Sequence, residues 1–321
     1  MNKNKTSIVH LTGGLGNQLF QIAFLLTRNS RNKQLEITLG RPRLDFANEP
    51  DCFAYDFGDF FTKRELSRDF PITRKAINLI LRLGLRTESR GLFSLFNFAC
   101  KFGTSILVTI SLRRRLKIVQ ATDNGYVDIS QSSCNEFAIG YFQSYRWFYQ
   151  SENTFTTMKN LRLRAPSKDF LEFISEHGNK KSISVHIRLG DYNLDPTLGI
   201  LDRQYYKEAL TRLFLENDYE EIWLFSNDPD EALNILPGSY SSKLRVIEDT
   251  SWSAAETLEA MRYGSAYVIA NSSLSWWGAA MSYADNPPVI APWPWFKGKD
   301  DPRDLIPPEW SQINGWGNSE T

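Results

Sequence analysis

The sequence is poor in cysteine and histidine, and this scarcity excludes several kinds of site. Its 321 residues include three cysteines, Cys52, Cys100 and Cys134, which are odd in number and widely separated. Such a set supports neither a disulfide framework nor a cysteine-based zinc site, and it is typical of a reducing compartment. The three histidines are too few for a histidine-rich metal centre. We therefore predict no metal site.

The chain also lacks an excess of charge of either sign. Its 37 basic residues balance its 37 acidic residues, which argues against a nucleic-acid partner bound through net charge. Residues 1–6 are polar, and no apolar signal core follows before the first predicted strand. We therefore expect no signal peptide and a cytoplasmic location. The length of the chain predicts two domains.

The segment from about residue 63 to residue 117 departs from this charge balance. It holds thirteen lysines or arginines against three acidic residues. Residues 92–110 within it are apolar, but Asn97, Lys101 and Gly103 interrupt them, and a membrane-spanning helix needs about 20 predominantly apolar residues. The pattern favours amphipathic helices. These are either core helices with a solvated basic face or helices that contact a membrane surface.

Strands and helices alternate in two parts of the chain. A strand over residues 7–11 leads through a glycine-rich turn into an apolar helix, and a second series begins after a boundary near residue 178. This series has strands at 183–187, 221–225, 243–247, 266–270 and 289–291, and helices at 203–216, after Pro229, at 253–263 and from Trp276. Such alternation predicts a parallel, doubly wound α/β sheet. We predict an N-terminal domain over residues 1–178, with the basic segment as a helical insert, and a C-terminal domain over 179–321.

The strand at 183–187 ends in a cluster of functional side chains. His186, Arg188 and Asp191 lie within six residues, and Gly190 allows the backbone to turn there. Ligands of open α/β sheets bind at the carboxyl ends of strands, and the planar donors of an arginine match phosphate oxygens. A surface ion pair between Arg188 and Asp191, with His186 buried in the core, explains the same residues about equally well.

The glycine-rich turn after the first strand is a second candidate site. It lacks the third glycine of the dinucleotide fingerprint and the Lys-Ser/Thr of a P-loop. Free N–H groups at the start of a helix nevertheless favour an anion, and Asn17 and Gln18 add amide donors. A purely structural turn explains Gly14 and Gly16 but not the two amides.

Polar residues follow two further predicted strands. Asn271, Ser272, Ser273 and a further serine stand where a helix cap and phosphate donors both belong, and they are more than a cap needs. The sequence Asp228-Pro229-Asp230 matches the D-x-D spacing of metal-dependent sugar transferases. It is also an ordinary helix start, with Asp228 as the N-cap and proline in the first turn, and we prefer that interpretation.

Residues 138–149 are dense in aromatic side chains. Such a cluster is most often part of a hydrophobic core. It also suits stacking against a sugar ring, because aromatic rings carry a large flat apolar surface. Both interpretations stay open at the level of sequence.

Six segments in order resemble family 11 glycosyltransferases, the bacterial-type α-1,2-fucosyltransferases. They are GGLGNQLFQ (13–21), GYFQSYRWF (140–148), HIRLGDY (186–192), FSND (225–228), ANSSLSWWGA (270–279) and APWPWF (291–296). The resemblance implies a GT-B fold, in which two Rossmann-like doubly wound domains face a cleft. It also implies inverting transfer of L-fucose from GDP-β-L-fucose, without metal or cofactor. The acceptor would be the 2-hydroxyl of a terminal galactose in an oligosaccharide or lipid-linked glycan.

The resemblance also implies roles for individual residues. Arg188 would bind the β-phosphate and stabilise the departing GDP, and Asn17 would reach the same diphosphate from the other domain as a further catalytic residue. Asp228 would face the guanine or the ribose. The remaining predicted donor-binding residues are Gly14, Gly16, Gln18, Asn271, Ser272 and Ser273.

One position departs from the family pattern HxRRxD, because Leu189 stands in place of the second arginine. The general base of an inverting reaction must lie within hydrogen-bond reach of the acceptor hydroxyl. Asp191 and His186 are the candidates, and an ion pair in which Asp191 orients Arg188 is an equally good interpretation of Asp191.

Two other functions compete with this assignment. The first is a nucleotide-dependent oxidoreductase that uses the glycine-rich turn, and the missing third glycine disfavours it. The second is a non-catalytic glycan-binding protein, which would have no need of Arg188. For the enzyme we expect GDP-fucose and a glycan acceptor as partners, no nucleic acid, and peripheral contact of the basic segment with the inner face of the cell membrane.

Overall fold

The computed structural model of the chain describes residues 5–28, 33–39, 50–64, 116–120, 125–126, 128, 135–190, 192, 195–247 and 251–317. Most of the predicted basic segment, at residues 65–115, and the candidate base Asp191 lie outside the described residues. Within the described part, the strands form two parallel sheets.

The first sheet contains five parallel strands: β1 (Lys5–Leu11), β2 (Lys33–Leu39), β3 (Thr62–Arg64), β4 (Leu116–Gln120) and β5 (Asn135–Ile139). Their order across the sheet is β3-β2-β1-β5-β4. The chain therefore builds outward from β1 on one side and returns to the other side through β4 and β5. The direction of winding changes between β1 and β5, which makes this the switch point of the first sheet.

The second sheet contains six parallel strands: β6 (Ser182–Ile187), β7 (Glu221–Ser226), β8 (Leu244–Val246), β9 (Ala266–Val268), β10 (Val289–Trp293) and β11 (Ser311–Asn314). Their order is β8-β7-β6-β9-β10-β11, which is the 3-2-1-4-5-6 order of a Rossmann sheet. The predicted parallel, doubly wound sheet is thus confirmed. Its switch point lies between β6 and β9.

Eight α-helices connect and cover these strands in the described part of the chain. They are α1 (Leu15–Thr27), α2 (Arg146–Tyr149), α3 (Glu152–Lys159), α4 (Lys168–His177), α5 (Arg203–Glu216), α6 (Pro229–Ile235), α7 (Ala254–Met261) and α8 (Ser273–Ala280). Short 3₁₀ turns occupy Asp51–Ala54 and Gly238–Lys243. No helix of the described residues is both long and apolar enough to cross a membrane.

A single hydrophobic cluster connects the two sheets. Helix α1 is apolar on nearly all sides, and its Phe20 lies 4.6 Å from the ring of Trp276 and 4.9 Å from that of Trp277, both in α8. Helices that are apolar all round belong in the interior of a protein. The predicted domain boundary near residue 178 falls between α4 and β6, and it stays a prediction.

A buried arginine strengthens the same junction. Arg262 donates hydrogen bonds to the carbonyl oxygens of Lys159 (2.7 Å), Leu161 (2.9 Å) and Met281 (2.9 Å), and to the carboxylate of Glu259 (2.7 Å). A buried guanidinium is tolerated when its donors are paired in this way. The end of α3 is thereby tied to the helices of the second sheet.

The start of helix α8 and the environment of the aromatic segment 138–149 can both be compared with the predictions. Helix α8 begins at Ser273 and not at the predicted Trp276, because Ser272 takes the cap position and the serines form the first turn. In the aromatic segment, Phe142, Trp147 and Phe148 are buried, and Phe142 stacks on Phe24 at 4.1 Å. These three rings therefore belong to the core.

Candidate functional site

The second sheet brings three polar residues to the carboxyl ends of adjacent strands. Ile187 of β6 pairs with Ser226 of β7, so Arg188 and Asn227 are the next residues along the two strands. On the other side β6 pairs with β9, which leads into Asn271. Because the strands are parallel, these residues gather at one edge, at the switch point where ligands of such sheets bind.

Asn227 shapes the loop that follows Arg188. Its Oδ1 accepts a hydrogen bond of 2.8 Å from the N–H of Leu189. Gly190 has φ +59°, and a Cβ atom built there would lie 2.4 Å from Nδ2 of Asn227. The loop therefore needs glycine for both its conformation and its close packing. Sequence reasoning assigned no role to Asn227, although its place after a strand was a usable signal.

Tyr192 supports the guanidinium of Arg188. The Cζ atom of Arg188 lies 5.6 Å from the centre of the Tyr192 ring, which is within the range of a cation–π contact. The hydroxyl of Tyr192 donates to the carbonyl oxygen of Asn271 over 2.9 Å. Arg188 therefore rests on a ring that is anchored to the far side of the switch point. The sequence does not predict this contact, because it joins residues 79 positions apart.

Asn271 is buried and holds a neighbouring loop. Its Nδ2 donates to the carbonyl oxygens of Leu198 (2.8 Å) and Gly199 (3.2 Å). Within the described part of the chain its buried Oδ1 has no hydrogen-bond partner. The amide nitrogen therefore has a structural role, and the predicted contact of Asn271 with a ligand stays a prediction.

Leu189 occupies a core position. Its side chain is fully buried in the apolar cluster of the second sheet, together with Ile187 and Leu201. A guanidinium at this position would be removed from water, which is costly unless it is paired. Leucine suits this apolar environment.

The environment of His186 disfavours it as a general base. The side chain is only 4% exposed, and its Nδ1 has no hydrogen-bond partner among the residues described. Burial, with a smaller effect from the charge of Arg188, lowers the pKa of His186 to about 3. The imidazole is therefore neutral at neutral pH and resists taking up a proton.

Two tyrosines of α5 hold three neighbouring strands of the second sheet. Tyr205 donates to the carbonyl oxygens of Ile269 (2.7 Å) and Ile290 (3.1 Å), and Tyr206 donates to that of His186 (3.2 Å). Burial raises the pKa of both hydroxyls, so they remain donors. The ends of β6 and β9 and the start of β10 are fixed in this way. Sequence reasoning missed both residues, which resemble ordinary core aromatics.

The glycine loop lies at the switch point of the first sheet. Oδ1 of Asn17 accepts a hydrogen bond of 2.7 Å from Nε2 of Gln143, which follows β5. Gln21 donates to the carbonyl oxygen of Gly140 over 2.9 Å and accepts from the N–H of Thr12 over 3.0 Å. The loops after β1 and β5 are therefore joined by neutral amide groups. Asn17 itself is half-exposed.

Gln18 is directed into the protein. It is 3% exposed, its Nε2 donates to the carbonyl oxygen of Gly13 (2.8 Å), and its Oε1 accepts from the N–H of Cys52 (3.0 Å). This position favours a role in shaping the glycine loop. The predicted contact of Gln18 with a ligand stays a prediction.

The two switch points meet at Gly16. A Cβ atom built on Gly16 would lie 2.4 Å from the carbonyl carbon of Ser273, so the first turns of α1 and α8 are in direct contact. Gly14 differs, because no atom lies within 4 Å of its Cβ position, and it is exposed. Gly16 therefore permits close packing, whereas Gly14 borders open space.

Helix α8 starts without a side-chain cap. Ser272 is the N-cap residue, yet its side chain makes no capping hydrogen bond. The N–H groups of the first turn have no partner within a helix, and they carry the positive end of its dipole. Ser273 is half-exposed beside them. This arrangement suits an anion.

Asp228 is the N-cap of α6, as the sequence predicts. Its Oδ1 accepts from the N–H of Glu231 over 3.1 Å, and Pro229 is the first residue of the helix. Within the described part of the chain, no group of three or more His, Cys, Asp or Glu side chains is arranged to hold a metal ion. The predicted contact of Asp228 with a nucleotide stays a prediction.

Comparison with known proteins adds a family and a fold. The sequence model of Glycosyl transferase family 11 matches residues 105–314. An alpha-1,2-colitosyltransferase of Escherichia coli is 26% identical over 326 residues, which cover 95% of this chain and 98% of that protein. The O-antigen biosynthesis glycosyltransferase WbnK of Escherichia coli is 25% identical over 309 residues, which cover 90% of this chain and 95% of that protein.

Solved structures of the fucosyltransferase NodZ from Bradyrhizobium share the architecture. One of them has a TM-score of 0.51 at 14% identity and covers 88% of this chain and 93% of that one. A NodZ crystal has also been soaked with GDP-fucose. At this level of identity the likeness shows the fold, and the two parallel sheets with meeting switch points are those of the GT-B fold, as predicted.

Proposed function

The chain belongs to glycosyltransferase family 11, and we propose that it is an inverting, metal-independent α-1,2-fucosyltransferase. In this proposal it transfers L-fucose from GDP-β-L-fucose to the 2-hydroxyl of a terminal galactose. Family membership excludes the oxidoreductase and removes the support for a glycan-binding protein without activity. The donor, the linkage and the acceptor are the proposed parts.

The contact between the two switch points supports this proposal most strongly. Arg188 lies at one switch point, Asn17 at the other, and Gly16 packs against Ser273 between them. The site thus combines one guanidinium, an amide and a helix amino terminus. These are groups that bind a diphosphate, and a nucleotide diphosphate is the leaving group of the proposed reaction.

In the proposed reaction, each electron pair and the transferred proton have a defined destination. The acceptor oxygen attacks C1 of fucose from the face opposite GDP, and this C–O bond forms with inversion from β to α. The bond between C1 and the β-phosphate oxygen breaks, and its electron pair leaves with GDP. Arg188 stabilises the negative charge that develops on that phosphate. The proton of the acceptor hydroxyl passes to a general base.

Asp191 is the base that we propose. It follows Arg188 by three residues, and it lies outside the described residues. The buried neutral His186 is poorly suited to the role, because its low pKa opposes protonation. An Asp191→Asn variant should therefore lose transfer while it retains GDP binding.

A second donor has specific support from one relative. The E. coli relative is named as a colitosyltransferase, and colitose is fucose without its 3-hydroxyl. A site that hydrogen-bonds this hydroxyl would reject colitose strongly, whereas a site without such a contact would discriminate weakly. Rates with GDP-fucose and GDP-colitose, measured side by side, decide between the two donors.

The proposal is tested by binding and by product analysis. Calorimetry should show that GDP binds and that NAD does not compete. Incubation with GDP-fucose and a panel of galactosides should then yield an α-1,2-linked product, identified by NMR. Absence of GDP binding, or a product with a different linkage, contradicts the proposal. Activity should persist in EDTA, and a strict requirement for manganese would refute metal independence.

We also propose that the enzyme acts in the cytoplasm at the inner face of the cell membrane, on glycans destined for the cell surface. The basic composition of residues 63–117 supports this location, and the relative WbnK is named for O-antigen biosynthesis. Flotation with anionic vesicles at low salt tests it. Protein that stays at the bottom of the gradient contradicts membrane contact.

A further inference from the structure

Trp293 differs from every other tryptophan of the chain in its exposure. The protein has nine tryptophans, and all of them are described. Six are buried, Trp252 and Trp316 are half-buried, and Trp293 is 59% exposed. An indole left in water forgoes the stabilisation that burial of a large apolar side chain would provide.

Trp293 lies at the functional edge of the second sheet. It is the last residue of β10, which runs parallel to β9 and β6, so its strand ends at the same edge as those that lead to Asn271 and Arg188. In the strand order, β10 is two strands from β6, and adjacent strands are about 4.8 Å apart. Trp293 is therefore about 10 Å from the strand of Arg188.

The alternation of side chains along β10 orients the indole toward the first sheet. Val289 and Ala291 lie in the hydrophobic cluster that includes α1 and α8, whereas Ile290 lies in the cluster on the opposite face. Residues two apart in a strand share a face. Trp293 therefore lies on the face directed at the N-terminal half of the molecule, beyond the point where the core ends.

The backbone around Trp293 is held on both sides. Its carbonyl oxygen accepts from the N–H of Gly315 over 3.4 Å, and that of Pro294 accepts from the indole N–H of Trp316 over 2.9 Å. The N–H of Trp295 donates to the carboxylate of Asp301 over 2.9 Å. A ring on such a fixed backbone loses little freedom when it binds a ligand.

We propose that Trp293 is a platform for a pyranose ring of the acceptor glycan, specifically the sugar next to the terminal galactose. This inference rests on the proposed function, which places the reacting galactose near Arg188. The spacing of about 10 Å between the strands of Arg188 and Trp293 leaves room for that galactose. The apolar face of a pyranose stacks on an aromatic ring. The aromatic segment 138–149 is a weaker candidate, because three of its six rings are in the core.

A kinetic comparison tests the platform. In Trp293→Ala, KM for a β-galactosyl disaccharide should rise about threefold to tenfold, as loss of a ring contact predicts. KM for methyl β-galactoside, which has no second ring, should stay unchanged, as should KM for GDP-fucose. Trp293→Phe should restore most of the disaccharide affinity. Phe60→Ala, which removes another exposed ring, is the matched control. If Trp293→Ala is active and its KM for the disaccharide is unchanged, the platform is overturned and the proposed function stands.

A fluorescence measurement decides the question independently of transfer. Acrylamide quenches an exposed indole, and Trp293 is the exposed one, so the disaccharide should protect wild-type protein from quenching and leave Trp293→Phe unaffected. Methyl β-galactoside should protect less. If no galactoside is fucosylated and GDP does not bind, the proposed function fails, and the quenching result still decides whether a glycan covers Trp293. Absence of protection in wild-type protein overturns the platform.

Discussion

The two switch points of this molecule have similar topology and different chemistry. In each sheet the chain changes direction between two neighbouring central strands, β1 and β5 in the first and β6 and β9 in the second. At the first, neutral amides of Asn17, Gln21 and Gln143 join the loops. At the second, Arg188 provides a positive charge. The topology therefore determines where a ligand binds, and the side chains determine what each half contributes.

This difference suits a ligand whose charge is concentrated in one group, such as a diphosphate. One guanidinium neutralises part of a diphosphate, and neutral amides add direction without adding charge. The amide side chains at the first switch point lie beside Gly16, which approaches Ser273 closely. Four substitutions test this division of roles.

Arg188→Lys should have the largest effect. An ammonium group cannot reproduce the planar pair of donors, and loss of a donor to developing charge lowers kcat by about 100-fold or more. Initial rates with GDP-fucose measure the change. Arg203→Lys, at an exposed position at the start of α5, is the control and should stay near the wild-type rate. If the Arg188→Lys enzyme keeps a rate within threefold of wild type, Arg188 does not have the proposed role at the second switch point.

Gly16→Ala should break the contact between the switch points. Its Cβ would clash with the backbone of Ser273, and overpacking of this kind costs about 1–3 kcal/mol of unfolding free energy. Gly14→Ala is the matched control, because its Cβ would meet no atom within 4 Å. Denaturant unfolding should show a loss of stability in the first variant only. Equal stability of both variants contradicts the packing role of Gly16.

Asn17→Asp places a negative charge at the switch point of the first sheet. The carboxylate can still accept the hydrogen bond from Gln143, so the fold should be retained. Repulsion from the donor diphosphate should raise KM for GDP-fucose by about tenfold or more. Asn153→Asp, on an exposed turn of α3, introduces the same charge elsewhere and should leave KM unchanged. If KM for GDP-fucose is unaltered in Asn17→Asp, Asn17 does not contact the donor.

Tyr192→Phe should have the smallest effect. It keeps the ring beneath Arg188 and removes the hydrogen bond to Asn271, which is worth about 0.5–1.5 kcal/mol. We expect kcat to fall about twofold to tenfold, and Tyr192→Leu, which also removes the ring, should lower it further. Tyr240→Phe, in a ring stack remote from the strand ends, is the control. Equal rates for the phenylalanine and leucine variants would exclude support by the ring.

Sequence reasoning identified the strand ends but not all of their contacts. The alternation after residue 178 predicts the second sheet well, since β6 and β7 are apolar and lead into polar residues. Strand β11 is not predicted, because Ile313 is its single buried residue. The early part of the first sheet is likewise poorly marked. Its strand β3 has three residues and depends on pairing with β2.

The roles of several site residues depend on partners that are distant in the chain. Asn227 meets Leu189 across 38 positions, and Gln143 meets Asn17 across 126. Gln18 illustrates the opposite error, since an amide beside a glycine loop suggests a ligand contact, yet its partners are Gly13 and Cys52. A sequence pattern does not reveal which side of a loop faces the interior.

The sequence by itself determined the fold class, the order of the segments and the presence of a cation at the end of β6. These follow from local periodicity and from residue chemistry, which act over a few positions. Only the tertiary structure decided that Gly16 packs on Ser273, that Leu189 is buried, that His186 is held neutral and that Trp293 is exposed. Each of these depends on which atoms share space after folding, and burial, clashes and desolvation are properties of that arrangement.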